Sequence, residues 1–97
     1  MESVYIVYYA MGSYDDYTET NYKVCFNKEL AEKLANTMNS AAKEYGLHDR
    51  VESLRDDTIY SAYEAKCKEF ESKFKVGYID PLTGINFLVQ EVEVYRE

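Results

Sequence analysis

The spacing of apolar and polar residues changes period along the chain, and each change marks an element. The opening run SVYIVYYAM, residues 3–11, is β-branched or aromatic over nearly its whole length with no helix-type spacing of polar residues. That composition predicts a strand. Beyond a polar loop, Tyr22, Val24 and Phe26 alternate with Asn21, Lys23 and Cys25, the period-two pattern of a half-buried strand. The two runs are expected to pair as an antiparallel hairpin. Asn27 stands where the period changes, and its side-chain oxygen suits the N-cap of a helix. From there Leu30, Leu34, Met38, Ala41 and Tyr45 recur at three- and four-residue steps, flanked by Ala31, Ala35 and Ala42. Gly46 suits a left-handed stop after that helix.

The stretch LHDRVESLRDD, residues 47–57, mixes charge with isolated Val51 and Leu54 and fits a loop, a helical turn or a short edge strand. From Asp57 the spacing of Ile59, Tyr63, Cys67, Phe70 and Phe74 predicts a second amphipathic helix, with Asp56 or Asp57 as its cap. KVGYID and INFLVQEVEVY then flank DPLTG, where Pro81 and Gly84 suit a turn, so a second hairpin is expected. In its last strand Leu88, Gln90, Val92 and Val94 share one face, and Phe87, Val89, Glu91, Glu93 and Tyr95 the other. The predicted order is β-β-α-α-β-β: an α+β fold with an antiparallel sheet of about four strands and both helices packed on one face. At 97 residues, with no linker or repeat, the chain is expected to be one compact domain, 1–97.

Composition narrows the function classes. A hydrophobic share of 46% argues against disorder. Net charge of −7 disfavours direct binding to nucleic-acid phosphates or to anionic membranes, and makes a basic protein surface the natural complement. Eleven tyrosines and no tryptophan point to large contact area with hydroxyls, some of it exposed. Glu2 precedes the first apolar run, which is too short and too tyrosine-rich for a signal peptide or a membrane span, so a cytoplasmic location is expected. Cys25 and Cys67 lie far apart with no CxxC spacing, which disfavours a disulfide framework or zinc knuckle, and read as small buried hydrophobes. A tyrosine- and valine-rich edge strand also admits a homodimer.

Catalytic constellations are sparse. His48 is the single histidine, and no GxGxxG, Walker-type loop or HExxH occurs, so no catalytic residue, metal site or cofactor is predicted. Asp15, Asp16 and Glu19 lack the spacing of a calcium loop. The loop offers instead alternating rings and charge. Tyr14, Asp15, Asp16, Tyr17 and Glu19, with Glu91 and Glu93 on the last strand, are the candidate partner-binding residues, suited to Arg- and Lys-bearing surfaces. Gly, Ser and Asp also suit any hairpin loop, so a purely structural role for residues 12–20 stays open. The spread of acids further admits imitation of a phosphate backbone, diluted by eleven basic residues.

The stretches VYIV, SYDDY, VCFNKELAEKLANTMN and VQEVEVYRE resemble small phage and prophage proteins of unknown function. Those proteins open with a strand, carry a Tyr-Ser-Asp-Tyr-like loop, and follow it with a Val-Phe strand and a KExAE helix. The resemblance covers roughly the first forty residues and the last ten. Here the loop reads Tyr14-Asp15-Asp16-Tyr17, and residues 47–74 look like an added helical insertion. The resemblance implies no catalytic residues; it implies origin, as a compact, intracellular, phage-related accessory protein of the size and acidity often seen among inhibitors of bacterial defence systems. The expected function is therefore a non-catalytic acidic module that binds a host or defence protein. The alternative is a small-ligand or nucleotide-binding sensor or enzyme, with a pocket between sheet and helices and His48 or the loop carboxylates at its mouth.

Overall fold

Strand β1, Ser3–Met11, and strand β2, Thr18–Cys25, form the expected antiparallel hairpin, with Tyr5 opposite Cys25 and Met11 opposite Thr18. The computed structural model describes residues 2–12, 17–47, 57–77, 79 and 84–95, with backbone only for 57–60. Helix α1, Lys28–Glu44, and helix α2, Asp57–Phe74, follow, and strand β3, Asn86–Glu93, ends the order. The fold is α+β. Among the described residues its antiparallel sheet has three strands in the order β2-β1-β3 rather than about four.

A strand within residues 75–80 is not formed among the described residues there, and the reason lies in their amides. The Gly77 N–H donates to the Tyr9 hydroxyl at 2.9 Å, and the Ile79 N–H donates to the Glu71 carboxylate at 3.1 Å. Val76 and Ile79 are buried all the same. They were strand-like in sequence because they face the core, but the Gly77 and Ile79 N–H groups are satisfied by side chains and not by a ladder. The partner of β3 is instead β1, from Ser3 opposite Glu93 to Ala10 opposite Asn86. The turn expected at DPLTG falls largely on residues 80–83, which lie outside the described set, and the pairing described for β3 is the long-range one that puts β1 in the centre.

α1 begins as its sequence indicates. Asn27 is extended at φ −126°, and its side-chain oxygen accepts from the Glu29 and Leu30 amides at 2.8 and 3.2 Å. The helix ends in a Schellman motif: Leu47 N–H donates to Ala42 carbonyl at 2.7 Å and Gly46 N–H to Lys43 carbonyl at 3.0 Å, with Gly46 at φ 74°. Leu47, just past the stop, is fully buried and seals it. The buried stripe is Ala31, Ala35, Met38 and Ala42, while Leu30 is 57% exposed. The small residues let the helix lie close across all three strands. The cap expected at Asp56 or Asp57 for α2 falls on residues whose side chains lie outside the described set.

One parity of β1 faces α1, and Val7 and Tyr9 are buried there with Phe87 of β3. A β-bulge between Val7 and Tyr8 leaves Tyr22 unpaired on β2, which turns it to the helix side. Tyr9, Tyr22 and Phe87 then form a ring trio across the strands, with centroids 5.6 to 6.4 Å apart. Tyr45, Phe70 and Phe74 form a second trio joining α1 to α2 at 4.5 to 6.3 Å. The Tyr22 hydroxyl links them by donating to the Phe74 carbonyl at 2.6 Å, where Lys75 at φ 60° ends α2. Cys25 and Cys67 are both buried in this core. No helix of the described residues is long and apolar enough to cross a membrane.

Candidate functional site

Of the candidate partner-binding residues, Tyr14, Asp15 and Asp16 lie outside the described residues, as does His48. Tyr17 and Glu19 are described and meet at the start of β2. The Tyr17 hydroxyl donates to a Glu19 carboxylate oxygen at 2.8 Å, and the ring is 49% exposed. That hydrogen bond, then desolvation and the carboxylate charge, raises the Tyr17 pKa above its ordinary 10.0. The pair presents an aromatic face and a fixed acceptor together, which is what a guanidinium or ammonium needs.

Glu91 and Glu93 are exposed on β3 opposite Tyr5 and Ser3, on the parity that faces α1; the Tyr5 hydroxyl donates to Glu91 at a long 3.4 Å. Glu19 is opposite Ala10, on the other parity and at the other end. Five residues along β1 and two strand gaps separate Glu19 from Glu91 by about 19 Å, from spacings of about 3.3 and 4.8 Å. The sheet therefore holds two acidic places, not one. Nor is any charged or polar side chain buried among the described residues.

The space between α1 and the sheet is filled by Val7, Tyr9, Met38 and Phe87. A wide groove of about 710 Å³ lies instead on the solvent side of α1, lined by Glu29, Glu32, Lys33, Ser40 and Glu44 and closed at one side by Phe74. Nearly all its polar groups come from one helix face, so they do not oppose one another across a cleft as paired catalytic groups do. Among the described residues no three Asp, Glu, His or Cys side chains cluster to hold a metal ion.

Reading the sequence by parity missed a further surface. On the side of the sheet turned away from α1, Val4, Ile6, Tyr8 and Ala10 of β1 sit beside Val92, Gln90, Leu88 and Asn86 of β3. Val24 of β2 lies next to Ile6 and is 60% exposed, and Phe26, two residues further on, is 86% exposed. The bulge is the cause: it reverses the parity of β2, so Cys25 turns inward and Val24 outward, opposite to the simple alternation. A signal was present in SVYIVYYAM, which is apolar on both parities where a strand with one wet face would alternate. No family model, no curated protein and no solved structure matches the chain.

Proposed function

We propose that the chain is a non-catalytic, acidic protein-binding module that docks on a basic surface of another protein. Its resemblance to phage proteins favours an inhibitor of a host or bacterial defence protein, acting in the host cytoplasm. Imitation of a nucleic-acid phosphate row is a variant of that reading. The observation that carries the proposal is the Tyr17–Glu19 pair: a half-exposed ring tied at 2.8 Å to a carboxylate, on a chain of net charge −7. A preformed pair loses less side-chain entropy on binding than two free side chains would. The negative field of the whole chain speeds encounter with a basic partner.

The test is capture of bacterial lysate proteins on the immobilised full chain, beside a Tyr17→Ala/Glu19→Gln variant, at low and high salt. A stoichiometric basic protein, weakened by salt and by the variant, supports the proposal. Recovery of no such protein across several hosts, or one indifferent to both changes, overturns it. The α1 groove favours a second reading, a small-ligand sensor, because its volume falls in the roughly 300–1,000 Å³ range of ligand pockets. A ligand at a hundred times its Kd adds about 2.7 kcal/mol of stability, so a thermal-shift screen of nucleotides and divalent ions separates the two readings.

A further inference from the structure

Antiparallel sheets that meet water on one face show it in sequence, with polar residues on the wet parity. β1 does not: Val4, Ile6, Tyr8 and Ala10 hold the parity turned away from α1, and their neighbours Leu88 and Val92 extend it across β3. None of Val4, Ile6, Tyr8, Leu88 and Val92 belongs to the core cluster that the helices cover. In a chain that is 30% charged, Glu19 is the only charged side chain of the three strands on this face, and it stands at a corner. Val24, opposite Ile6, carries the apolar surface onto β2, and Phe26, one residue past its end, is 86% exposed. Contiguous apolar surface of this kind marks an interface.

We infer that this face is the contact of a twofold homodimer, in which two sheets stack through β1. The area is sufficient. Strands of eight or nine residues give a face about 28 Å long and about 14 Å wide, about 400 Å² in projection. Side-chain relief and the Val24–Phe26 flank roughly double that, to the order of the 800 Å² per partner that a stable interface buries.

Charge selects a second copy as the occupant. Two chains of net charge −7 repel most strongly through acidic surfaces and meet at the smallest penalty through a neutral one. A basic partner, in contrast, gains from acids and leaves a neutral face uncovered. A flat neutral face is also self-complementary, as a twofold contact requires.

Edge pairing between copies, the route that the sequence admits, is blocked on one side and impaired on the other. The Asn39 side chain occupies both backbone groups of Phe87, accepting from its N–H at 2.7 Å and donating to its carbonyl at 2.9 Å, so α1 closes the β3 edge there. The free edge of β2 is broken by the bulge at Tyr22 and carries Lys23. Stacked sheets about 10 Å apart remain the available arrangement.

Sedimentation equilibrium of the purified full chain tests this without reference to any other partner. Twice the 11.3 kDa chain mass is expected at micromolar concentration. Ile6→Lys, at the centre of the face, should raise the dimer Kd at least a hundredfold. Because that residue is partly buried, Val24→Glu and Phe26→Glu provide a second pair of variants. Both positions are more than half exposed in the monomer, so these chains keep their far-UV circular dichroism while dissociating at least tenfold more readily. A monomeric wild type at 100 μM, or a dimer that all three substitutions leave intact, overturns the inference.

Discussion

Asn39 offers a sharp test of the fold because its two hydrogen bonds have opposite requirements. The amide accepts from the Phe87 N–H at 2.7 Å and donates to the Phe87 carbonyl at 2.9 Å, which fixes its orientation without ambiguity. Each bond contributes about 1 kcal/mol net, so Asn39→Ala should cost about 2 kcal/mol, with water reaching part of the vacated edge. Asn39→Asp separates the two bonds by pH. A protonated carboxyl reproduces both, its hydroxyl donating to the carbonyl. A carboxylate keeps the bond to the N–H and sets a charged oxygen against the Phe87 carbonyl. The folded state therefore raises the pKa of the introduced group above the ordinary aspartate value of about 3.9.

For an acid raised in this way, stability is complete below the unfolded pKa and is lost as pH rises through the folded one. The loss runs at up to about 1.4 kcal/mol per pH unit within that window. Urea unfolding followed by circular dichroism at pH 4, 5.5 and 7 measures it. The gap between wild type and Asn39→Asp should be small at pH 4 and widen toward pH 7, while the gap to Asn39→Ala stays level. A gap to Asn39→Asp that is flat across this range, or an Asn39→Ala cost under about 0.5 kcal/mol, would refute the edge-closing role.

Three further expectations rest on other parts of the core. Phe70→Ala removes a fully buried ring packed 4.5 Å from Phe74 and 5.4 Å from Tyr45, and should cost about 3–5 kcal/mol in chemical denaturation. Gly46→Ala meets open space but places a Cβ at φ 74°, so a loss of about 1–2 kcal/mol from backbone strain alone is expected in the same assay. Burial, then the nearby Tyr9, raises the Tyr22 pKa above 10.0, so its contribution is complete below pH 10 and is lost as pH rises through the folded value. Ultraviolet tyrosinate titration should show late ionisation coupled to loss of structure, and Tyr22→Phe should remove that coupled step.

Local chemistry was legible in the sequence and long-range pairing was not. Asn27 and Gly46 could be placed because a cap or a left-handed stop depends on a few neighbouring backbone groups. The first hairpin and the grouping of β3 residues into two faces followed from period-two alternation. Gly77 and Ile79 misread as strand because their amides are satisfied by Tyr9, far away in sequence, and by Glu71 on the preceding helix. β2 misread in parity because one bulge residue, Tyr22, inverts every side chain after it. Of the candidate site, the Tyr17–Glu19 pair was within reach as neighbours on one strand edge. That Glu91 and Glu93 lie at the far end and on the other face depended on sheet order, which no local pattern carries.

The pairing of β1 with β3 joins Ser3 to Glu93, far apart in sequence, and this bears on synthesis. β1 and β2 leave the ribosome together and are able to close their hairpin early. The roughly 60 residues from Cys25 to Asn86 then take about 3 to 12 s to follow at about 5–20 residues per second. For that interval the strand destined for the centre of the sheet has one open edge and two apolar faces. A chain stalled before Asn86 presents the same surface indefinitely. Nascent or truncated forms of this protein should therefore depend on chaperones far more than the finished chain does, and the last strand, not the hairpin, should time the end of that dependence.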